Sequence, residues 1–185
     1  VTDGEASHHN VVPWTAERLA QARRAERQEG LRRLGLGHAP VMSLHCPDGA
    51  VRHHVGALAT TVAALLRRGD LVVTTWCQDG HPDHEACGEA TVQACAARGC
   101  RLLQAPVWMW HWARPADPRV PWSRLCHAAL PLTALARKQA ALAAHVTQLT
   151  PRGRGHEGVH DAGLGPVLDP AMLARSSRPS EYFFV

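Results

Sequence analysis

The stretch Trp76-Cys77-Gln78-Asp79-Gly80-His81-Pro82-Asp83-His84-Glu85 stands where an apolar strand gives way to a helix, and its reading decides the fold. Before it, Leu71 to Thr75 is a short β-branched run that predicts a core strand. Asp79-Gly80 is a turn signal, and Pro82 suits the first turn of a helix. The helix is marked by Cys87, Ala90, Thr91, Ala94 and Cys95 at three- and four-residue spacing, and Gly99 closes it. His81 and His84 then lie three apart on the opening turn and can point the same way. In open α/β sheets ligands bind beyond the carboxyl ends of the strands, and the histidine pair sits at such an end.

Working towards the N-terminus, a helix carrying Val51, Val55, Leu58, Val62 and Leu65 on one stripe is expected to end at Gly69. Pro47-Asp48-Gly49 reads as a turn, and residues 41–44 as a second strand. Pro13-Trp14-Thr15 introduces a first helix, with Thr15 as N-cap, that runs to about Leu34 and stops at Gly35. The arginines between Arg18 and Arg33 alternate with Glu17, Glu26 and Glu29, the pattern of a solvated face rather than a phosphate-binding stripe. Val1-Thr2-Asp3-Gly4 reads like the end of a strand whose beginning is missing, so the sequence is expected to be N-terminally incomplete, the alternative being a start at an unusual codon.

Towards the C-terminus, residues 102–107 form a further strand. Trp108, Trp110 and Trp112 alternate with Met109 and His111, a spacing that fits either packing at a strand end or a stacking wall for a sugar. A helix from near Thr133 buries Leu135, Leu142, Val146 and Leu149 until Pro151 forbids its continuation. Residues 152–165 are glycine-rich and read as a surface loop. Asp169-Pro170 caps a short helix, and residues 182–185 could form an edge strand. Strands alternating with helices predict one α/β domain over residues 1–185, Rossmann-like, with a mostly parallel sheet and helices on both faces.

Composition narrows the function classes. The 185 residues are 45% hydrophobic and suffice for a real core. No apolar run approaches the roughly 20 residues that span a bilayer, and no signal peptide is visible, so a soluble, cytoplasmic protein is expected. The charge of +4 and pI of 9.0 invite a nucleic-acid reading. Lys138 is however the one lysine among 20 basic residues, so the arginine bias is general rather than gathered in a patch, and no nucleic-acid partner is expected. The six cysteines form no C-x-x-C pair and are expected as free thiols, with Cys87 and Cys95 acting as small hydrophobes on a helix face.

An H-x-x-H pair alone fits surface or capping histidines as well as metal binding. Asp79, Asp83 and Glu85 crowd the same turn, and a metal-ligating histidine usually carries a carboxylate on its second ring nitrogen. Asp83 could be that partner, or a carboxylate favoured by the helix N-terminus.

Asp79-Gly80-His81-Pro82-Asp83-His84 is preceded by Thr2-Asp3-Gly4-Glu5 and followed by residues 138–148 (Lys-Gln-Ala-Ala-Leu-Ala-Ala-His-Val-Thr-Gln). Together these motifs resemble the LmbE-like, or PIG-L, family of zinc-dependent N-acetyl sugar deacetylases. The resemblance implies a Rossmann-like fold, a Zn2+ cofactor (or another divalent metal) and hydrolysis of the acetyl group from an N-acetylglucosamine-type conjugate. It implies that His84 is a zinc ligand, that His81 stabilises or protonates the tetrahedral intermediate, and that Asp83 holds a histidine in orientation. Arg23 and Asp48 match positions that hold substrate in the family, although read alone they are a helix arginine and a turn aspartate. Glu5 and His145 stand in family motifs without an assigned role.

The family's opening His-Pro-Asp-Asp-Glu motif, which supplies two further ligands and the catalytic base, has no counterpart before His81. The nearest candidates, Asp3, Glu5, His8 and His9, belong to the later Thr-Asp-Gly-Glu stretch. A catalytic zinc normally takes three protein ligands, so two expectations follow. An upstream segment completes an active deacetylase, or the chain is a catalytically inactive remnant or binding module of the same fold.

Overall fold

The computed structural model describes residues 1–7, 14–151 and 165–185; Pro13, His8, His9 and most of the expected loop at 152–165 lie outside them. In chain order the helices and strands are α1 (Ala16–Leu34), α2 (Val55–Leu65), β1 (Leu71–Thr75), α3 (Pro82–Arg98), β2 (Arg101–Ala105), α4 (Met109–Trp112), β3 (Leu125–Ala129), α5 (Leu132–Leu142), α6 (Val146–Leu149), α7 (Pro170–Ser176) and β4 (Ser180–Phe184). They gather into two compact units. One comprises Val1, residues 49–129 and residues 180–185, and the other residues 2–48 and 130–179.

The first unit holds the whole sheet, in the order β1-β2-β4-β3. Only β1 and β2 are parallel, joined through α3 in register Leu71 to Arg101. β4 runs antiparallel to both neighbours. The mixed α/β class is as expected, but the mostly parallel sheet is not. β3 and β4 are brought together by pairing across some fifty intervening residues, which no local periodicity announces. For the same reason Tyr182 to Phe184, from the stretch read as an edge, belong to an interior strand that ends at Phe184. β1, read as a core strand, stands at the sheet edge with Leu71 and Val73 each more than half exposed. Residues 41–44 form no strand, and neither does the stretch at Val1 to Gly4.

Close packing of α3 on β1 depends on its small residues. Ala86, Gly88, Ala90, Thr91, Ala94 and Cys95 are buried, as the spacing predicted for the last four. The Thr75 hydroxyl donates to the His84 carbonyl at 2.7 Å, and the Thr74 and Thr91 hydroxyls meet at 3.2 Å. Beyond the strand ends Trp76, Met109, Val120 and Phe184 make a core cluster, flanked by Trp110, Trp112 and Trp122. Trp76 and Phe184 pack at 4.3 Å between ring centroids. The alternating tryptophans therefore begin a short helix, α4, instead of extending β2.

In the second unit α1 opens on Thr15, whose hydroxyl accepts from Arg18 N–H, and closes on left-handed Gly35. It buries Leu19 and Ala20 and packs on α5. The helix predicted from Thr133 to Leu149 is broken at residues 143–145. Glu26 of α1 explains the break: its carboxylate accepts from Thr147 N–H at 2.7 Å and from the Thr147 hydroxyl at 2.8 Å, capping α6 as a separate turn. Asp169 caps α7 through Met172 N–H, as expected.

Candidate functional site

The turn after β1 is built around the Asp79 carboxylate, which is fully buried. One oxygen accepts from Val107 N–H at 2.8 Å and Met109 N–H at 2.9 Å, the other from Trp108 N–H at 2.7 Å and His84 Nδ1 at 2.6 Å. The Asp79 carbonyl accepts from Trp112 Nε1 at 2.8 Å. Burial pushes the Asp79 carboxyl up, but His84 and the three backbone donors outweigh it, and its pKa lies below the usual value. Gly80 is required next. Its φ is +85°, and a Cβ there would lie 2.5 Å from Trp112 Nε1.

His81 is the N-cap of α3, and its Nδ1 accepts from Asp83 N–H at 3.2 Å. Its neutral ring therefore carries the proton on Nε2. His84 is the opposite case: Nδ1–H donates to the Asp79 carboxylate, so the lone pair of its neutral form lies on Nε2. The two rings stack at 4.5 Å between centroids, and the Trp108 ring stands steeply inclined to both, at 5.3 Å from His81 and 6.5 Å from His84. The His111 ring also packs on Trp108, at 4.4 Å between centroids. A cavity of about 520 Å³ adjoins the turn, lined by Gln78, Gly80, Trp112 and Arg119. The Arg119 guanidinium sits 4.4 Å over the Trp112 ring and is held by Asp117.

Asp83, the residue expected to orient a histidine, directs its carboxylate elsewhere. It accepts from Gly49 N–H at 2.6 Å and Val51 N–H at 3.2 Å, and so anchors the turn that precedes α2. The carboxylate on His84 is Asp79. The signal for it was its place five residues before His84 in a Gly-punctuated turn, but only the fold shows which of the crowded carboxylates reaches the ring.

Arg23 and Asp48 belong to the second unit, where both hold the segment 2–7. Arg23 donates to the Gly4 carbonyl at 2.8 Å and the Ser7 hydroxyl at 2.7 Å. Asp48 accepts from the Thr2 hydroxyl at 3.2 Å and Ala6 N–H at 3.0 Å, while its own N–H donates to Glu5 at 3.0 Å. Arg23 Nε and Glu5 Oε2 are buried without a hydrogen-bond partner among the described residues.

The protein-family model for PIG-L, described as GlcNAc-PI de-N-acetylase, matches residues 1–95, just over half of the 185. The chain belongs to the PIG-L family. No curated protein matches it. The matched span includes the His-Pro-Asp-His turn, Arg23 and Asp48, and it stops before the motif around His145. For this PIG-L chain the metal expectation meets an incomplete donor set: among the described residues no three His, Cys, Asp or Glu side chains are grouped to hold an ion. Nor is any helix among them long and apolar enough to cross a membrane.

His145 has a different character from the site histidines. Burial pushes its pKa down, with Glu26 opposing and Arg23 adding to the effect. The folded state therefore resists protonation, while the unfolded chain takes up a proton near pH 6.5. The stability tied to this group is complete above that value and is lost as the pH falls below it. Denaturant unfolding at pH 7.5 and pH 5.5 should show a loss of stability that shrinks in His145→Gln. An equal loss in both proteins would assign the acid sensitivity to other groups.

Proposed function

We propose that this PIG-L chain is a hydrolase that removes the acetyl group from an N-acetylglucosamine-type compound, with zinc or another divalent ion as its metal. The observation that carries the proposal is the complementary histidine pair, in which one Nε2 is a donor and its stacked neighbour's Nε2 is an acceptor. Metal-assisted hydrolysis of an amide uses both: a donor to the carbonyl oxygen as it becomes an oxyanion, and an imidazole lone pair to hold the ion beside the attacking water.

A bound zinc supplies Lewis acidity and a water acidic enough to ionise near neutral pH. His84 Nε2 is the atom here suited to ligate it. The described residues do not complete the centre. His84 is fixed by Asp79, whose buried carboxylate balances positive charge gained at the ring. His81 Nε2–H donates a hydrogen bond to the oxyanion and keeps its proton, while the proton given up by the attacking water is the one the departing amine takes up, leaving acetate and a free amino sugar. Arg23 and Asp48 are proposed to hold substrate, and their substitution should raise KM more than it lowers kcat.

The experiment is acetate release from N-acetylglucosaminides by the chain, with and without added zinc, together with His81→Gln and His84→Ala. His81→Gln should lower kcat by about 100-fold, the scale of one oxyanion donor, with substrate binding retained. Sugar binding with no acetate released at any zinc concentration would favour the non-catalytic binding module. Release untouched by either substitution would remove the histidine pair from the chemistry.

A further inference from the structure

Away from the histidine turn, two thiols meet at the other end of α3. The helix closes on Gly99, with φ +67°, and Cys100 N–H donates back to the Cys95 carbonyl at 3.0 Å. This is the Schellman arrangement, which brings the side chain two residues past the helix against the one three from its end. Both positions are cysteine. Covalent geometry around that hydrogen bond caps the separation of the two Cα atoms at about 7 Å, close to the upper end of the range of about 4.4–6.8 Å that disulfides span. Burial, with the neighbouring Cys100, pushes the Cys95 thiol up.

Their exposures differ. Cys95 is buried, at 4% exposed, whereas Cys100 is partly open to solvent and donates its thiol to the Arg67 carbonyl at 3.2 Å. An oxidant in solution meets Cys100, and the residue that the helix-closing turn sets against it is Cys95. The other four cysteines stand apart from this turn in the sequence and are free thiols.

We propose that Cys95 and Cys100 are a redox-active dithiol, a modification site that a hydroperoxide converts to a disulfide. The Cys100 thiolate attacks a peroxide oxygen; the O–O bond breaks and Cys100 becomes a sulfenic acid, with the peroxide's other oxygen leaving as water or an alcohol. The Cys95 sulfur then attacks the Cys100 sulfur; the S–O bond breaks, and the hydroxide leaves with the Cys95 proton as water. The two thiols together give up two electrons, which reduce the peroxide. The product staples the end of α3 to the residue that leads into β2, and a thiol reductant returns both cysteines.

The test uses the reduced chain and stoichiometric hydrogen peroxide, followed by denaturation, alkylation, intact mass and a peptide map. The expected result is a loss of two hydrogens, two fewer alkylated cysteines, a Cys95–Cys100 linked peptide, and recovery with dithiothreitol. In Cys95→Ser the sulfenic acid should persist on Cys100 and be trapped by dimedone, and Cys100→Ser should show no loss of two hydrogens. An unchanged mass, a disulfide between other cysteines, or Cys100 driven to the sulfinic acid with Cys95 still alkylated would overturn the assignment.

Discussion

Asp79→Ala should cost about 4 kcal/mol or more of folding stability, the largest single loss expected for this protein. The carboxylate accepts four hydrogen bonds in a fully buried position, three of them from the consecutive backbone N–H groups of residues 107–109. Alanine leaves those donors without an acceptor, at about 1–3 kcal/mol for each one that water cannot reach. The total falls short of a simple sum because the turn relaxes and admits some water. Against a typical stability of about 5–15 kcal/mol the loss is severe. Asp79→Asn keeps the shape and one acceptor but points an NH2 group at donors, so its loss should be smaller, about 2 kcal/mol. Denaturant unfolding followed by tryptophan fluorescence measures both. A change below about 1 kcal/mol for Asp79→Ala would mean that the turn is held by something other than the carboxylate. In the surviving folded fraction His84 loses the acceptor for its Nδ1 proton, and the proposed deacetylation should fall with it.

Gly88→Val should destabilise the fold by about 3 kcal/mol through overpacking. A Cβ at Gly88 would lie 2.6 Å from the Thr75 carbonyl oxygen and 2.9 Å from Cys77 N. These are backbone atoms, which cannot swing aside as a side chain would, so α3 must move away from the end of β1. The gain of about 0.4 kcal/mol from replacing glycine by valine in a helix interior offsets little of this. The displacement also reaches the site, because His84 lies one turn before Gly88 and its carbonyl is tied to Thr75. The low-field proton resonance of His84 Nδ1–H against Asp79 should weaken or vanish in the variant. An unaltered resonance and stability would show that α3 has room at this position.

The elements whose limits are set locally were legible in the sequence. Thr15, Gly35, Gly99 and Asp169 each cap a helix by a hydrogen bond or a left-handed turn made within a few residues, so residue type and spacing suffice. Elements that depend on distant partners were not. β4 is an interior antiparallel strand because β2 and β3 flank it, and the break at residues 143–145 follows from Glu26, far earlier in the chain. The site divides in the same way. By itself the sequence determined that two histidines open one helix three residues apart, and that the motifs are those of the PIG-L family. Only the tertiary structure decided that Asp79 rather than Asp83 holds His84, and that the two rings present opposite Nε2 roles. A carboxylate's partner is set by which donors the fold brings within 3 Å of it, and spacing along the chain does not contain that distance.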